Sequence, residues 1–332
     1  MVTIQDIAKK ANVNKSTVSK ALNNSGDINF ETASKIRLVA KDLGYEKRVR
    51  KSSAQKTIGI ITAEIDDAYY SSLVDKLISI ANDEGYTCCV LTSNYDSTSE
   101  ESAVKFMIEK NVSGVFLGLS VNAQISNLYS KLKECGIPVV GVCEESAVSD
   151  VDKIWINDDD GVDQAIEHLY SLGHTRIAYI GDEYGQARLE SFKRAMDKRS
   201  LPVLDSLISL QTVRKFECGY KGVKTLLNLN EKFTALFCQY DDVAIGAMRA
   251  LFENGLLVPS DVSVIGADDT KYCSFITPTL TSINCNSDAV CQVAFKILEN
   301  KINKKDKSVQ SVLIKPKLII RNSTSKAKSF ET

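Results

Sequence analysis

The sequence predicts an α/β protein in which a head of three short helices precedes a core of two lobes, each lobe built on a doubly wound parallel sheet. Three observations carry that prediction. Residues 3 to 44 place apolar side chains at helical spacing in three short stretches. From residue 58 onward, apolar runs of strand length alternate with helix-sized amphipathic segments, the β-α-β-α rhythm of a parallel sheet buried on both faces. That rhythm starts afresh at residue 176, which asks for a second sheet.

In the head, Thr3 precedes Ile4, Ile7, Ala8 and Ala11, an apolar stripe behind an N-cap, so Thr3 to Ala11 is expected to be an amphipathic helix. Asn12-Val13 makes a tight turn. Asn14 then caps a second helix whose inward set is Thr17, Val18, Ala21 and Leu22, leaving Lys15, Ser16, Ser19 and Lys20 outward near its start. After Asn23-Asn24-Ser25-Gly26, Asn29 caps a third helix that buries Ala33, Ile36, Ala40 and Leu43 and stops at Gly44. Hydroxyls and ammonium groups on the first turns of a second helix are what base edges and phosphates require. Any small three-helix unit packs this way, so the pattern alone is compatible with a plain structural bundle. Charge separates the two readings: residues 1 to 57 carry twelve Lys and Arg against five Asp and Glu, whereas the whole chain carries 41 against 42. The basic end is read as the nucleic-acid end.

The core strands are Ile58-Gly59-Ile60-Ile61, Thr87 to Leu91, Gly114 to Leu117 and Pro138 to Val142, then Arg176 to Gly181, Ala235 to Cys238 and Val262 to Gly266. A further helix is expected over Ser287 to Asn300 and a further strand over Ser311 to Ile320. Two such sheets imply a cleft, with ligands held beyond the carboxyl ends of the strands. Asp268 ends one of these strands, placed to accept hydrogen bonds from ligand hydroxyls; capping the next turn is its plain alternative. The two histidines, His168 on a helix and His174 after its terminal Gly173, are assigned packing or capping roles.

Composition bounds the function classes. The 332 residues are 44% hydrophobic and 25% charged, with no apolar run of membrane-spanning length. No apolar signal region precedes the first helix, so a cytoplasmic location is expected. Nine cysteines, without Cys-x-x-Cys spacing, are read as mostly buried small hydrophobes in a reducing compartment. A doubly wound enzyme is disfavoured, because the chain has no Gly-x-Gly-x-x-Gly after its first strand, no Gly-Lys-Ser/Thr loop and no nucleophile elbow. No cofactor and no metal are called for. A solute-binding protein of the same two-lobed build is the alternative, against which the basic head argues.

Thr3-Ile4-Gln5-Asp6-Ile7-Ala8 followed by Val13 to Asn23 resembles the head of the LacI/GalR family of transcription factors, the lactose and galactose repressors, and the resemblance runs to about residue 324. It implies a helix-turn-helix head at 1–45, a basic linker at 46–57 and a periplasmic-binding-protein-like core at 58–324, followed by a tail at 325–332. The first lobe would comprise about 58–156 with 285–309, and the second about 157–284 with 310–324. In that family the residues matching Lys15, Ser16 and Lys20 read bases. Thr3, Asn14, Thr17, Asn23, Thr32, Arg48 and Arg50 complete the expected DNA contacts. Lys47 stands where relatives start the linker with proline, and Val49 is the linker's only sizeable aliphatic, which weakens any wedge between base steps.

The same resemblance carries Arg188, in Arg188-Leu189-Glu190-Ser191-Phe192, into the cleft to hold ligand oxygens, where an exposed helix arginine is the plain alternative. Tyr69, Tyr70, Tyr184, Arg214, Tyr240 and Asp241 fall at pocket positions. Arg214 stands where relatives carry an aromatic, and Cys143 where they carry an acid. With Arg188 and Arg214 both facing inward the cleft would turn positive and favour a carboxylate or phosphate, Asp241 and Asp268 being the counterweights. The implied function is a ligand-responsive regulator, a homodimeric repressor on a palindromic double-stranded operator, with a sugar or sugar derivative as effector.

Overall fold

The computed structural model describes residues 3–22, 30–43, 56–118, 125–142, 150–229, 231–306 and 308–328. The chain divides into two compact units, residues 1–55 and 56–332. In the first, α1 (Ile4–Ala11), α2 (Lys15–Leu22) and α3 (Phe30–Asp42) enclose Ile7, Ala8, Ala11, Val18, Ala21, Ile36 and Ala40. Asp6 tightens the start of α1 by accepting from the backbone N–H of Thr3 at 2.8 Å and from its hydroxyl at 2.7 Å. Asn12, with φ of 56°, closes α1 by donating its N–H to the carbonyls of Ala8 and Lys9.

The second unit holds two six-stranded sheets. β1 (Lys56–Thr62), β2 (Tyr86–Thr92), β3 (Gly114–Gly118), β4 (Val139–Val142), β5 (Asp152–Ile156) and β11 (Ser311–Ile314) lie in the order β11-β5-β4-β3-β1-β2, all parallel. β6 (Ile177–Asp182), β7 (Ile208–Gln211), β8 (Ala235–Cys238), β9 (Ser263–Ala267), β10 (Thr281–Asn284) and β12 (Lys317–Ile319) lie in the order β12-β10-β9-β8-β6-β7, parallel except at β10–β12. Each sheet is covered on both faces. Ile60 and Phe116 pack toward α4 (Ala68–Asp83) and α11 (Ser287–Ile302), while Ile61, Val115 and Leu117 pack toward α5 (Ser97–Glu109) and α6 (Ile125–Glu134). The second sheet is sandwiched likewise between α7 (Asp158–Ser171) with α8 (Gln186–Asp197) and α9 (Lys215–Asn228) with α10 (Asp241–Glu253). That two-sided burial is why the strands read as unbroken apolar runs.

The single strand expected over 311–320 is instead two. Lys315-Pro316 interrupts it, Pro316 having no N–H for a ladder, and β11 and β12 join different sheets. β5 and β7 went unread. β5 carries Asp152, whose carboxylate accepts from the N–H of Gln310 at 2.8 Å and pairs with Lys301 at 3.2 Å, so its polar end is matched by the chain crossing beside it.

His174, fully buried, contacts Thr234 Oγ1 at 2.8 Å through Nδ1 and the carbonyl of Ser325 at 2.9 Å through Nε2, and His168 Nε2 lies 2.9 Å from Thr324 Oγ1. Both fasten the end of the chain to the second lobe, and burial lowers the pKa of each. No described cysteine forms a disulfide, and five of them are buried, whereas Cys135 is exposed and Cys143 lies outside the described residues. Among the described residues no helix is long and apolar enough to cross a membrane, and no group of His, Cys, Asp and Glu is placed to hold a metal ion.

Candidate nucleic-acid interface and ligand cleft

In the head the α2 register is set from inside. Val18 and Ala21 are buried, and the Asn14 carbonyl accepts from the N–H groups of Thr17 at 3.0 Å and Val18 at 3.1 Å. This leaves Asn14, Lys15, Ser16 and Lys20 exposed and Thr17 half-buried, so Lys15, Ser16 and Lys20 share one helix face. Thr3 is exposed and Thr32 half-buried on α3. Asn23, Arg48 and Arg50, with nearly all of the linker, lie outside the described residues.

In the core, each sheet reverses its winding direction once, between β1 and β3 and between β6 and β8. Beyond the carboxyl ends of strands at such points two loops diverge and leave a crevice. Glu64 follows β1, Asp182 ends β6, and Gln239-Tyr240-Asp241-Asp242 follows β8. Asp67 caps α4, accepting from the N–H groups of Tyr69 at 2.8 Å and Tyr70 at 3.0 Å, and so fixes those two tyrosines, whose rings meet edge-on at 5.8 Å.

Arg188 is buried, 8% exposed, and its donors are taken: Nη2 reaches Asp158 Oδ1 at 2.8 Å, Nη1 the carbonyl of Gln239 at 2.6 Å, and Asp268 Oδ1 lies 3.6 Å from Nη1. The Tyr240 ring stands 5.2 Å from the guanidinium. Asp268 is held at φ of 103°, a strained setting for a side chain with a Cβ, in the turn that follows β9 (Ser263–Ala267). Asp241 is fully buried and also occupied: Oδ1 accepts from Ser282 Oγ at 2.5 Å and Oδ2 from the N–H of Thr270 at 2.7 Å. It ties the loop after β9, and β10, to the start of α10.

Gln239, not singled out in the sequence, is the hidden joint of this lobe. Its amide donates to Asp182 Oδ1 at 3.0 Å, and its Oε1 accepts from the N–H of Asp182 at 2.7 Å. Gly181 and Gly185 make room for it, since a Cβ on either would fall within 2.1 Å and 1.9 Å of its side chain.

The two lobes meet directly. Arg214, immediately before α9, donates from Nη1 to Glu64 Oε1 at 2.9 Å and from Nη2 to the Tyr95 hydroxyl at 2.8 Å, while that hydroxyl donates to Glu64 Oε1 at 3.1 Å. Its guanidinium lies 4.2 Å from the Tyr95 ring centre and 5.1 Å from that of Tyr184. Lys215 Nζ reaches Glu64 Oε2 and Asp66 Oδ2, both at 3.0 Å. Burial works to raise the Glu64 pKa, but Lys215 and Arg214 outweigh it and the carboxyl is lowered. Arg214 and Tyr184 thus belong to one cross-lobe network with Glu64, Tyr95 and Lys215, which Asp182 and Gln239 continue to Arg188, Tyr240 and Asp268, while Asp241 bonds apart from it to Ser282 and Thr270. Beside it a cavity of about 840 Å³ opens between α4 and the 268–271 loop, lined by Tyr69, Ser72, Asp75, Lys76, Asp268 and Asn284 among others.

The positive cleft expected from two arginines is not what forms, because each guanidinium is already matched by carboxylates. Burial pushes the Asp241 and Asp242 carboxyls up to about 6, and Asp268 well above the usual carboxylate range.

A helix-turn-helix head on a core of two doubly wound lobes with a ligand-sized cleft is the build of a DNA-binding transcriptional regulator. Residues 3–47 match the model of the bacterial regulatory proteins of the lacI family, and residues 166–324 match the periplasmic binding protein-like domain. The chain is 32% identical to the probable HTH-type transcriptional repressor ExuR of Bacillus subtilis (strain 168), over 97% of this chain and 98% of that one. It belongs to the LacI family. Among solved structures, a LacI-family regulator from Enterococcus faecium with bound ribose is 26% identical over 82% of this chain and 100% of that one, with a TM-score of 0.73. The lac repressor dimer bound to operator and an anti-inducer shares the fold, with a TM-score of 0.76, 24% identity and coverage of 98% of this chain and 99% of that one.

Proposed function

We propose that this regulator is a repressor that binds a palindromic operator as a homodimer, and that a sugar or sugar derivative in the interlobe cleft sets its affinity for DNA. The observation that carries the reading is the cleft itself: a ligand-sized space between two lobes, beside which Arg214 of one lobe bonds Glu64 and Tyr95 of the other, contacts that must rearrange if the lobes turn. Ribose in the cited relative supports a carbohydrate ligand. The division into a head at 1–45, a linker at 46–57 and a two-lobed core at 58–324 goes with this reading, as does a cytoplasmic location.

DNA contact is assigned to Lys15, Ser16 and Lys20 on the outer face of α2, with Thr3, Asn14, Thr17, Asn23, Thr32, Arg48 and Arg50 around them. Ligand contact is assigned to Tyr69, Tyr70, Tyr184, Arg188, Arg214, Tyr240, Asp241 and Asp268, the paired arginines acting mainly by shaping the wall. Dimerisation is supported by large apolar side chains left exposed on the second lobe, Phe275 at 86%, Phe252 at 67% and Leu257 at 54%. The test pairs fluorescence anisotropy on the chain's upstream DNA with a sugar panel and sedimentation. The reading predicts a dimer with salt-dependent binding that one sugar class weakens or strengthens. A monomer whose DNA affinity no sugar alters would sink it.

A further inference from the structure

One buried donor and one buried acceptor of the second lobe fall just short of each other. Arg214 Nε and Asp182 Oδ2 are both without a hydrogen-bond partner, and they stand 3.6 Å apart, close enough to attract as charges but beyond hydrogen-bond reach. The carboxylate is fixed where it is. Its Oδ1 accepts from the Gln239 amide and from the N–H of Tyr184, both at 3.0 Å, which leaves Oδ2 as the acceptor on the Arg214 side. The guanidinium is the part drawn off: Nη1 and Nη2 go to Glu64 and the Tyr95 hydroxyl of the other lobe, at 2.9 Å and 2.8 Å. Arg214 and Asp182 belong to the same lobe, so partners across the cleft withhold a bond that the lobe could make by itself. Lys215, the next residue, sits at φ of 56°, a costly setting for a side chain with a Cβ, while its ammonium reaches Glu64 and Asp66. The corner that reaches across is thus set against a missing hydrogen bond and a strained backbone.

We infer that Arg214 is a latch with two catches: Glu64 and Tyr95 hold it while the lobes stand together, and Asp182 takes it, through the Nε–Oδ2 bond now missing, when they part. The inference takes its lobe motion from the ligand-responsive reading above and adds to it a positioning role for Asp182. With a single catch, parting the lobes would strip a partly buried guanidinium of its hydrogen-bonded carboxylate. With two, one ion pair is exchanged for another, the open and closed settings lie close in free energy, and a ligand with modest differential affinity can tip them.

Spin labels at the exposed Thr98 and Lys221, one on each lobe, report the exchange when pulsed EPR is run on the full chain diluted in unlabelled chain. Attachment through encoded ketone residues leaves all nine cysteines in place. Glu64→Gln weakens the first catch and is expected to move the label population about tenfold toward the longer separation. Asp182→Asn keeps an oxygen for Gln239 and Tyr184 but sets an amide N–H against Arg214 Nε. Added to Glu64→Gln, it is expected to bring the population back toward the shorter separation by a similar factor. In a crystal structure of Glu64→Gln alone, Arg214 Nε should lie about 2.9 Å from Asp182 Oδ2. Label separations indifferent to Glu64→Gln overturn the latch, as does a double variant that stays open or an Nε still out of reach in the crystal. If the Asp182 variant fails to fold, the Glu64→Gln crystal decides. None of these outcomes touches the ligand-responsive reading, which fails only where no sugar alters DNA affinity.

Discussion

Arg214 and Glu64, 150 positions apart in the chain, form an ion pair of 2.9 Å that runs from one sheet of the core to the other. Neither side chain is fully buried, at 24% and 13% exposure, so solvent screens part of the attraction. What the pair supplies is geometry, because Tyr95 and Tyr184 hold the guanidinium from two sides.

Removing the arginine should loosen this join. Arg214→Ala is expected to cost about 1–3 kcal/mol in urea unfolding, since Lys215 still holds Glu64 but the Tyr95 hydroxyl loses its donor. Small-angle scattering should show a more open core. An unchanged scattering profile together with unchanged stability would remove the pair from any role in lobe closure.

Arg188→Ala should be far more damaging than a ligand-contact substitution. It leaves Asp158 and Asp268 without their cation, Asp268 in a buried setting, and is expected to destabilise the second lobe by about 3–5 kcal/mol. Arg188→Lys should recover only part, because lysine cannot reach Asp158 and the Gln239 carbonyl with one planar fork. Denaturation curves of both variants check this, and a wild-type midpoint for Arg188→Ala would refute it.

Asp242 gives a pH signature. Its carboxyl is pushed from 3.8 up to about 6 by burial and by Asp67 and Asp241, so the folded state holds a proton that the unfolded chain has released. Stability from this group is therefore full below about pH 4 and is lost as pH rises to about 6. Asp242→Asn should raise stability at pH 7 by about 1–3 kcal/mol and flatten the dependence between pH 4 and pH 6. Unfolding free energies measured across that range decide; a variant less stable than wild type at pH 7 contradicts the assignment.

On the head, Lys20→Ala is expected to weaken operator binding by about 1–3 kcal/mol and to relax preference at one base position. Competition anisotropy with single-base operator variants is the check. An equal loss on every sequence would make Lys20 a phosphate contact.

The parts of this protein legible in its sequence are those decided by neighbours along the chain. Ile58 to Ile61 reads as a strand because both faces of its sheet are apolar, and α2 reads as a presented helix because Val18 and Ala21 recur at helical spacing. β5 does not read as a strand, because Asp152 and Lys153 look like a loop until Lys301 and Gln310 arrive beside Asp152. Arg188, Tyr240 and Asp268 could be picked out by motif, yet the motif gave no sign that Asp158 and Gln239 had already claimed the guanidinium. Glu64 and Tyr95 carried no local signal at all. Their place in the network exists only where they meet Arg214, across separations of 150 and 119 residues.

β11 and β12, consecutive in the chain and parted by two residues, each complete a different sheet. On the ribosome this imposes an order of events. The three helices of the head are synthesised first and can pack as soon as they emerge, whereas neither lobe can close its hydrogen-bond ladder until residues 311 to 319 have been made. A nascent chain stalled before that point would carry a folded helix-turn-helix head and a core whose two sheets each lack an outer strand. Both sheets then gain their outer strand, β11 on β5 and β12 on β10, from the same short stretch of translation, so the two lobes mature together.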